Sequence, residues 1–223
     1  MKRYKEVHYE VVSSTNTLVK KTYLDLMDHT LIRANYQTHG RGRRDNQWFS
    51  QKNKNFLGSF YKISKPSPPL KYLLEAAIAL ITTLESLDIV CTIKPPNDIY
   101  VNDKKIAGIL IEVIHGDIHH VISGIGLNVN ESVDKTSISM NQVLDIPLFV
   151  EEVTKTLKKN FERAETLAYN SLFDLYILHV EFNKVFVLKN NELKPLIAIN
   201  EAFECLVENC WQSCESLTFT YKG

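Results

Sequence analysis

Short turns between apolar segments dictate how the middle of this chain is arranged. Two of them, Asn102-Asp103 and His115-Gly116-Asp117, consist of turn-forming residues and leave no room for a crossover helix. Parallel strands need a connection of roughly a dozen residues or more, so these segments pair as antiparallel hairpins. The predicted strands are Ile89–Lys94, Asp98–Val101, Lys105–Ile114 and Ile118–Gly124.

Segments with the apolar periodicity of a helix lie before and after this region. Leu70–Leu87 and Phe149–Ala168 each keep their apolar residues on one face. A shorter helix begins at the capping sequence Ser13–Asn16 and extends to about Met27. Further strands are predicted at residues 8–12, Thr30–Tyr36 and Phe56–Ile63, and at Val185–Leu188, Leu196–Ile199, Glu204–Val207 and Leu217–Tyr221.

These elements predict an α+β fold in two domains. Residues 1–180 form a mixed, largely antiparallel sheet with helices on one face. Residues 181–223 form a small C-terminal domain that resembles a β-barrel. A chain of 223 residues, 44% of them hydrophobic, is long enough for one core with such a satellite.

The 26 basic and 26 acidic side chains cancel, so the formal net charge is zero. Nucleic-acid-binding proteins usually carry a basic excess, and this balance argues against a nucleic-acid partner. The sequence contains no apolar run of about 18 residues and no signal peptide, so we expect a cytoplasmic protein without a membrane partner. The four cysteines are expected to be reduced and mostly packed; the alternative is a metal or redox site at Cys205, Cys210 and Cys214.

Positive charge is concentrated in one loop, Gly40–Arg44, which reads Gly-Arg-Gly-Arg-Arg and is followed by Trp48. Glycines let backbone N–H groups turn toward a ligand, and arginines make bidentate contacts to anions. A cluster this local in a neutral chain suits a small anion. The alternative is an exposed basic loop that binds RNA.

A second group of polar residues spans Lys94–Glu112. Asn97 and Asp98 lie in a turn that projects short polar side chains, and Lys105 opens a strand that is otherwise apolar. Gly108 lies inside that strand, where a glycine marks a close approach to the backbone. With Gly124 and Gly126 it makes a glycine-lined floor that suits a flat or narrow ligand.

Four stretches, taken together, resemble the biotin protein ligases, also called biotin–[acetyl-CoA-carboxylase] ligases. They occur in the family's order and are Ser-Thr-Asn at 14–16, the Gly-Arg-Gly-Arg-Arg loop with Trp48, Lys-x-Pro-Asn-Asp with Lys-Lys-x-x-Gly-Ile-Leu-x-Glu at 94–112, and Gly-Ile-Gly-x-Asn-Val-Asn at 124–130. The resemblance covers residues 14 to 130. Too few residues precede Ser14 for a helix-turn-helix domain, so we expect the monofunctional form without an N-terminal DNA-binding domain.

The resemblance implies a two-step reaction. The carboxylate of biotin attacks the α-phosphate of Mg·ATP and gives biotinyl-5′-AMP. A lysine of a biotin carboxyl carrier domain, from acetyl-CoA carboxylase or a related carboxylase, then displaces AMP. The antiparallel sheet and neutral surface also permit a homodimer.

The resemblance also implies a role for individual residues. Lys105, Arg43 and Asp98 are the expected catalytic residues, and Asp98 is the expected Mg²⁺ ligand. The expected biotin contacts are Ser14, Thr15, Gln37, Gly40, Arg41, Lys105, Gly108, Ile109 and Leu110. The expected ATP and adenylate contacts are Arg41, Arg43, Arg44, Trp48, Lys94, Asn97 and Asn128.

The chain departs from the family pattern at three places. Asp45-Asn46 replaces a Gly-Arg pair after the arginines, which removes a positive charge and a flexible point. Pro95 replaces a tryptophan before Pro96. Residues 198–208 lack both glycines of the family's strand pair, so the C-terminal barrel is expected to be degenerate.

Two kinds of alternative function remain at this stage. One is a lipoate ligase or octanoyl transferase, which shares the expected architecture but lacks the Gly-Arg-Gly-Arg-Arg loop. The other is a binding protein, such as a biotin or nucleotide sensor that has lost turnover.

Overall fold

A computed structural model describes residues 3–44 and 46–221, excluding the side chain of Glu215. The departure noted at Asp45 therefore lies outside the described residues. The strands are β1 Lys5–Tyr9, β2 Thr30–Ala34, β3 Phe56–Ser64, β4 Thr92–Lys94, β5 Asp98–Val101, β6 Lys104–Ile114, β7 His119–Leu127, β8 Val185–Lys189, β9 Glu192–Pro195, β10 Ala198–Ile199, β11 Glu204–Val207, β12 Cys210–Ser213 and β13 Phe219–Tyr221. The helices are α1 Thr15–Thr22, α2 Pro69–Glu85, α3 Met140–Leu144, α4 Val150–Ala164 and α5 Tyr169–Leu178. None of the helices in this part of the chain is both long and apolar enough to cross a membrane.

The first seven strands form one sheet in the order β1-β2-β3-β7-β6-β5-β4. The short turns do form hairpins, because β4, β5, β6 and β7 pair antiparallel in succession. Strands β1 and β2 pair in parallel, with α1 as their crossover, so the sheet is mixed as predicted.

Helices α2, α4 and α5 cover one face of this sheet. Their apolar stripes, which include Leu74, Leu157 and Tyr176, join inward-facing strand residues such as Phe60 and Ile125 in the main core. Helix α1 lies on the opposite face, where Val19 packs in a second, smaller cluster. The face under α1 is therefore only partly covered, and this leaves room for a site between α1 and the glycine-bearing strands.

Several predicted boundaries differ from the observed ones. The first strand is Lys5–Tyr9 instead of residues 8–12, because its register is set by the parallel partner β2 and not by its own weak alternation. Helix α1 ends at Thr22, short of Met27. Helix α5 was not predicted, because its apolar residues do not keep to one helical face and so give little periodicity. Its packing against α2 holds it in place.

The C-terminal strands form two antiparallel sheets of three strands, β10-β11-β12 and β13-β8-β9. Neither closes into a barrel within the described residues, and their buried residues continue the main core. The expectation that the cysteines are reduced was wrong for Cys205 and Cys214, which form a buried disulfide with Cα atoms 5.5 Å apart. Cys91 and Cys210 are free thiols, and Cys91 is packed in the core. Antiparallel pairing of β11 with β12 brings the ends of these strands together, a proximity that the cysteine spacing alone does not reveal.

A buried ionic network ties β3 to α2 and to the end of α4. The ammonium of Lys62 lies 2.6 Å from Glu75 and 3.0 Å from Glu165. His29 lies between Glu165 and Asp28, and Tyr4 donates a hydrogen bond to Glu165. The hydrogen bond to Glu165 raises the pKa of His29; the charges of Glu165 and Asp28 add to this, while burial opposes it.

A pH dependence of stability follows from this histidine. Because the folded pKa of His29 is raised, its contribution is complete below the unfolded value near 6.5 and is lost as the pH rises through the folded value. His29→Asn keeps a residue that tolerates the positive φ of 59° at this position. The free energy of unfolding should therefore differ more between wild type and His29→Asn at about pH 5.5 than at about pH 9, as measured by urea denaturation. An equal difference at both values would contradict this.

Candidate active site

A cavity of about 270 Å³ opens on the α1 side of the sheet. It lies where β5, β6 and β7 meet the start of α1, and loop residues 41–44 and 46–48 border it. The C-terminal strands close its remaining side through Leu217, Thr218 and Phe219. Most of the predicted site residues line it, namely Ser14, Thr15, Gln37, Arg41, Arg43, Arg44, Trp48, Lys94, Asn97, Asp98, Lys105, Gly108, Ile109 and Leu110.

The glycines at 108, 124 and 126 form the floor of the cavity. A Cβ atom on Gly124 would overlap the side-chain amide of Asn16, and one on Gly126 would overlap the indole ring of Trp48. A Cβ on Gly108 would lie 3.0 Å from the same ring. The absence of side chains therefore lets α1 and the loop approach the sheet directly.

A hydrogen-bonded cluster forms one end of the cavity. The side-chain oxygen of Gln37 accepts a hydrogen bond from the backbone N–H of Thr15 at 2.7 Å. The hydroxyl of Ser59 lies 2.7 Å from that of Thr15 and 2.6 Å from the amide oxygen of Asn16. Ser14 caps α1, which fixes the direction in which these polar groups point.

The arginine loop is a closed turn in this structure. The N–H of Gly42 donates to the carbonyl of Asn46 at 2.7 Å, and that of Trp48 donates to Gly40 at 2.9 Å. Gly40 is buried below the loop and its Cα faces the Trp48 carbonyl so closely that a side chain would not fit. Arg44 has a φ of 52°, which turns the chain at the tip.

The three loop arginines point to three different partners. Arg41 forms an ion pair with Glu112 at 3.2 Å. Arg43 donates to the side-chain oxygen of Asn97 at 3.1 Å. Arg44 donates to the Thr218 hydroxyl and the Leu217 carbonyl of the C-terminal strands, both at 3.0 Å. The loop is thereby held against β6, the turn before β5 and the C-terminal strands.

Two ionisable groups at the cavity have shifted pKa values. Burial lowers the pKa of Lys94, with Lys105 contributing in the same direction and Asp98 opposing. Burial raises the pKa of Glu112, but the hydrogen bond from Asn16 and the charges of Arg41 and Lys20 outweigh this, and the pKa is lowered overall. Glu112 therefore stays ionised as the anchor of Arg41.

The side chain of Lys105 lies at the floor of the cavity. Its ammonium lies 2.7 Å from a carboxylate oxygen of Asp98 and 5.4 Å from the centre of the Trp48 ring. Both contacts stabilise its positive charge. The indole N–H of Trp48 is buried, and among the described residues it has no hydrogen-bond partner, so a bound acceptor would satisfy it.

Within the described residues Asp98 belongs to no preformed metal site, since no group of three or more histidine, cysteine or carboxylate side chains is placed to hold a metal ion. A single carboxylate is nevertheless enough for a Mg²⁺ ion that is bound to phosphates, because protein sites for this ion commonly supply only one or two carboxylates.

Two predicted residues, Gly40 and Asn128, do not line the cavity, and several residues of the site were not predicted. Asn128 is buried, donates to the carbonyl of Ile138 and does not line the cavity. The structure adds Asn16 and Leu217–Phe219, which line the cavity, and Ser59 and Glu112, which bind its lining residues. Asn16 and Glu112 belong to the quoted motifs and Ser59 lies on β3, which pairs with β7, whereas nothing in the sequence pairs Leu217–Phe219 with the arginine loop.

This arrangement gives a narrow slot with cations along it. The slot has a flat floor, hydrogen-bonding groups at the Gln37 end and three cationic side chains, Arg43, Lys94 and Lys105, toward the other. Such a site can bind a neutral polar head at one end and bring two anionic groups together at the other, because the cations offset their repulsion.

Comparisons with known proteins agree on one family. The profile of the biotin/lipoate A/B protein ligase family matches residues 8–128. The bifunctional ligase/repressor BirA of Bacillus spizizenii is 37% identical over 140 residues, covering 57% of this chain and 41% of that protein. BirA of Escherichia coli is 33% identical over 123 residues, covering 53% and 38%. The chain thus spans about two fifths of the length of these relatives.

The fold also has a close counterpart among solved structures. The biotin protein ligase of Aquifex aeolicus in complex with biotin and ATP superimposes with a TM-score of 0.81 at 21% identity, over 98% of this chain and 99% of that one. The family profile covers more than half of the sequence, including the first three motifs and the fourth as far as Asn128. The chain belongs to the biotin/lipoate A/B protein ligase family.

Proposed function

We propose that this protein is a biotin protein ligase that uses ATP. The observation that carries the proposal is the slot in which Arg43, Lys94 and Lys105 face a glycine floor beside the Thr15–Gln37 cluster. The names of the relatives support it, since BirA is described as a ligase and the A. aeolicus enzyme as a biotin protein ligase with biotin and ATP bound.

In the proposed first step, the carboxylate of biotin attacks the α-phosphate of Mg·ATP and pyrophosphate leaves. The polar ureido head lies at the end formed by Ser14, Thr15 and Gln37. Its carboxylate lies toward Lys105, which stabilises the charge shared between carboxylate and phosphate in the transition state. Mg²⁺ enters as part of the substrate, with Asp98 as the carboxylate beside the phosphates.

In the proposed second step, a lysine amine attacks the mixed anhydride and AMP leaves. The acceptor is a lysine of a biotin carboxyl carrier domain, from acetyl-CoA carboxylase or a related carboxylase. A mixed anhydride hydrolyses in water, so the closed arginine loop serves to cover it until the acceptor arrives. In this scheme residues 1–180 form the catalytic domain and residues 181–223 an accessory domain.

The test is a complete reaction with purified protein. Incubation with biotin, ATP, Mg²⁺ and a biotin carrier domain should release AMP and increase the mass of the carrier by one biotinyl group. Parallel reactions with lipoate or octanoate in place of biotin separate this function from that of other family members. Transfer of lipoate but not of biotin would contradict the proposal and indicate a lipoate ligase. Binding of biotin without release of pyrophosphate would indicate a biotin sensor.

Lys105 should be essential for the first step. Lys105→Gln should lower biotin-dependent pyrophosphate release by about 10²-fold or more, the effect of losing one preorganised electrostatic donor. Lys104→Gln is the matched control, because Lys104 is the neighbouring lysine, is exposed and lies outside the cavity. Circular dichroism should show both variants folded. Near-wild-type release by Lys105→Gln would remove the assigned role.

Arg43 should retain the adenylate. Loss of a charged hydrogen bond of about 1.5–3 kcal/mol corresponds to roughly 10- to 150-fold faster escape. Arg43→Gly should therefore still form biotinyl-AMP, lose it faster from a rapid gel-filtration column, and label lysines on bystander proteins. Lys52→Gly, at an exposed turn outside the cavity, serves as control. Unchanged retention without bystander labelling would leave Arg43 with no such role.

A further inference from the structure

Arg44 attaches the arginine loop to the C-terminal strands. The two terminal nitrogens of the Arg44 guanidinium donate to different acceptors, the Thr218 hydroxyl and the Leu217 carbonyl, each at 3.0 Å. Thr218 is 174 residues from Arg44 in sequence, and both residues line the same cavity. The contact therefore links the most basic loop of the chain to a segment outside the region that the family profile matches.

The acceptor segment is held at both of its ends. The disulfide of Cys214 to Cys205 fixes the chain just before it, and Phe219 pairs with Val187 in β8 just after it. The backbone carbonyl of Thr218 itself accepts a hydrogen bond from Leu188 at 3.0 Å. A segment fixed in this way presents its hydroxyl and carbonyl in one arrangement, which suits the planar fork of an arginine.

The position of Arg44 also determines that of its neighbour. Because Arg44 has a positive φ, consecutive arginines leave the loop in different directions, Arg44 toward Thr218 and Arg43 toward Asn97. When Arg44 is bound, Arg43 is held across the cavity between these two attachments. When Arg44 is released, the tip of the loop loses one of its anchors.

We propose that Leu217 and Thr218 act as positioning residues that latch the arginine loop closed through Arg44. The C-terminal strands would then control how long a ligand stays under the loop, without touching the reacting atoms. The effect of this latch on ligand retention rests on the proposed ligase function. The contact between Arg44 and the C-terminal strands does not depend on that function.

Trypsin tests the latch without any ligand, because it cleaves after arginine and needs a locally open chain. Thr218→Val removes the hydroxyl at nearly constant shape, and cleavage after Arg41 and Arg43, followed by mass spectrometry, should become about 3- to 10-fold faster. Thr218→Ser restores a hydroxyl and should return the rate to that of wild type. Thr220→Val, two residues along β13, is the matched control and should have no effect.

A double-mutant cycle assigns the effect to this contact. Arg44→Gln should also speed cleavage, and adding Thr218→Val to Arg44→Gln should give no further increase, since the same bond is already broken. Unchanged cleavage in Thr218→Val, or additive effects of the two substitutions, would overturn the latch.

Measuring how long biotinyl-AMP stays bound separates the test of the latch from the test of the proposed ligase function. If both hold, Thr218→Val should lose biotinyl-AMP about 3- to 10-fold faster than wild type on the rapid gel-filtration column. Faster tryptic cleavage in a protein that makes no biotinyl-AMP would support the latch and contradict the proposed ligase function. Faster cleavage with normal retention would show that the latch holds the loop but not the ligand, and would overturn its role in retention.

Discussion

The site depends on direct contact between its covering elements and a bare strand surface. Asn16 and Trp48 lie against β7 where Gly124 and Gly126 have no side chains, and no larger residue fits at either position. This contact places the start of α1 and the loop on the sheet itself. Arg43, Lys94 and Lys105 consequently line a slot between these elements and the sheet.

Each arginine of the loop has a defined partner, which fixes the position of its charge relative to the cavity. Arg41 is anchored by Glu112, whose pKa is lowered in spite of burial, and Arg43 is held by the neutral side chain of Asn97. The ion pair with Glu112 offsets the charge of Arg41, whereas the amide of Asn97 carries no charge. A neutral chain thus produces a locally positive slot.

Local patterns predicted most of the fold and the centre of the site. The hairpins from β4 to β7 follow from turn length, and α2 and α4 from periodicity, because both are properties of neighbouring residues. The resemblance to the family assigned Thr15, Gln37 and Lys105 to one site, and the structure places all three in one cavity.

Long-range contacts were not predicted, because no pattern among neighbouring residues indicates them. The Cys205–Cys214 disulfide follows from strand pairing, and the attachment of Arg44 to Thr218 joins segments that are far apart in the sequence. Asn128 belongs to a quoted motif, yet its side chain turns to the Ile138 carbonyl below the site. A motif specifies the residue types at a site but not the direction in which each of them points.

The central claim, that bare glycines let the loop close on the sheet, is tested most directly at Gly126. Hydrogen exchange of the Trp48 amide, which donates to Gly40 in the closed loop, should be at least about 10-fold faster in Gly126→Ala, because the new methyl group displaces the indole ring. Gly116→Ala is the control, since a methyl group there meets only the Ile118 carbonyl at 3.4 Å. Full protection of the Trp48 amide in Gly126→Ala would contradict the account.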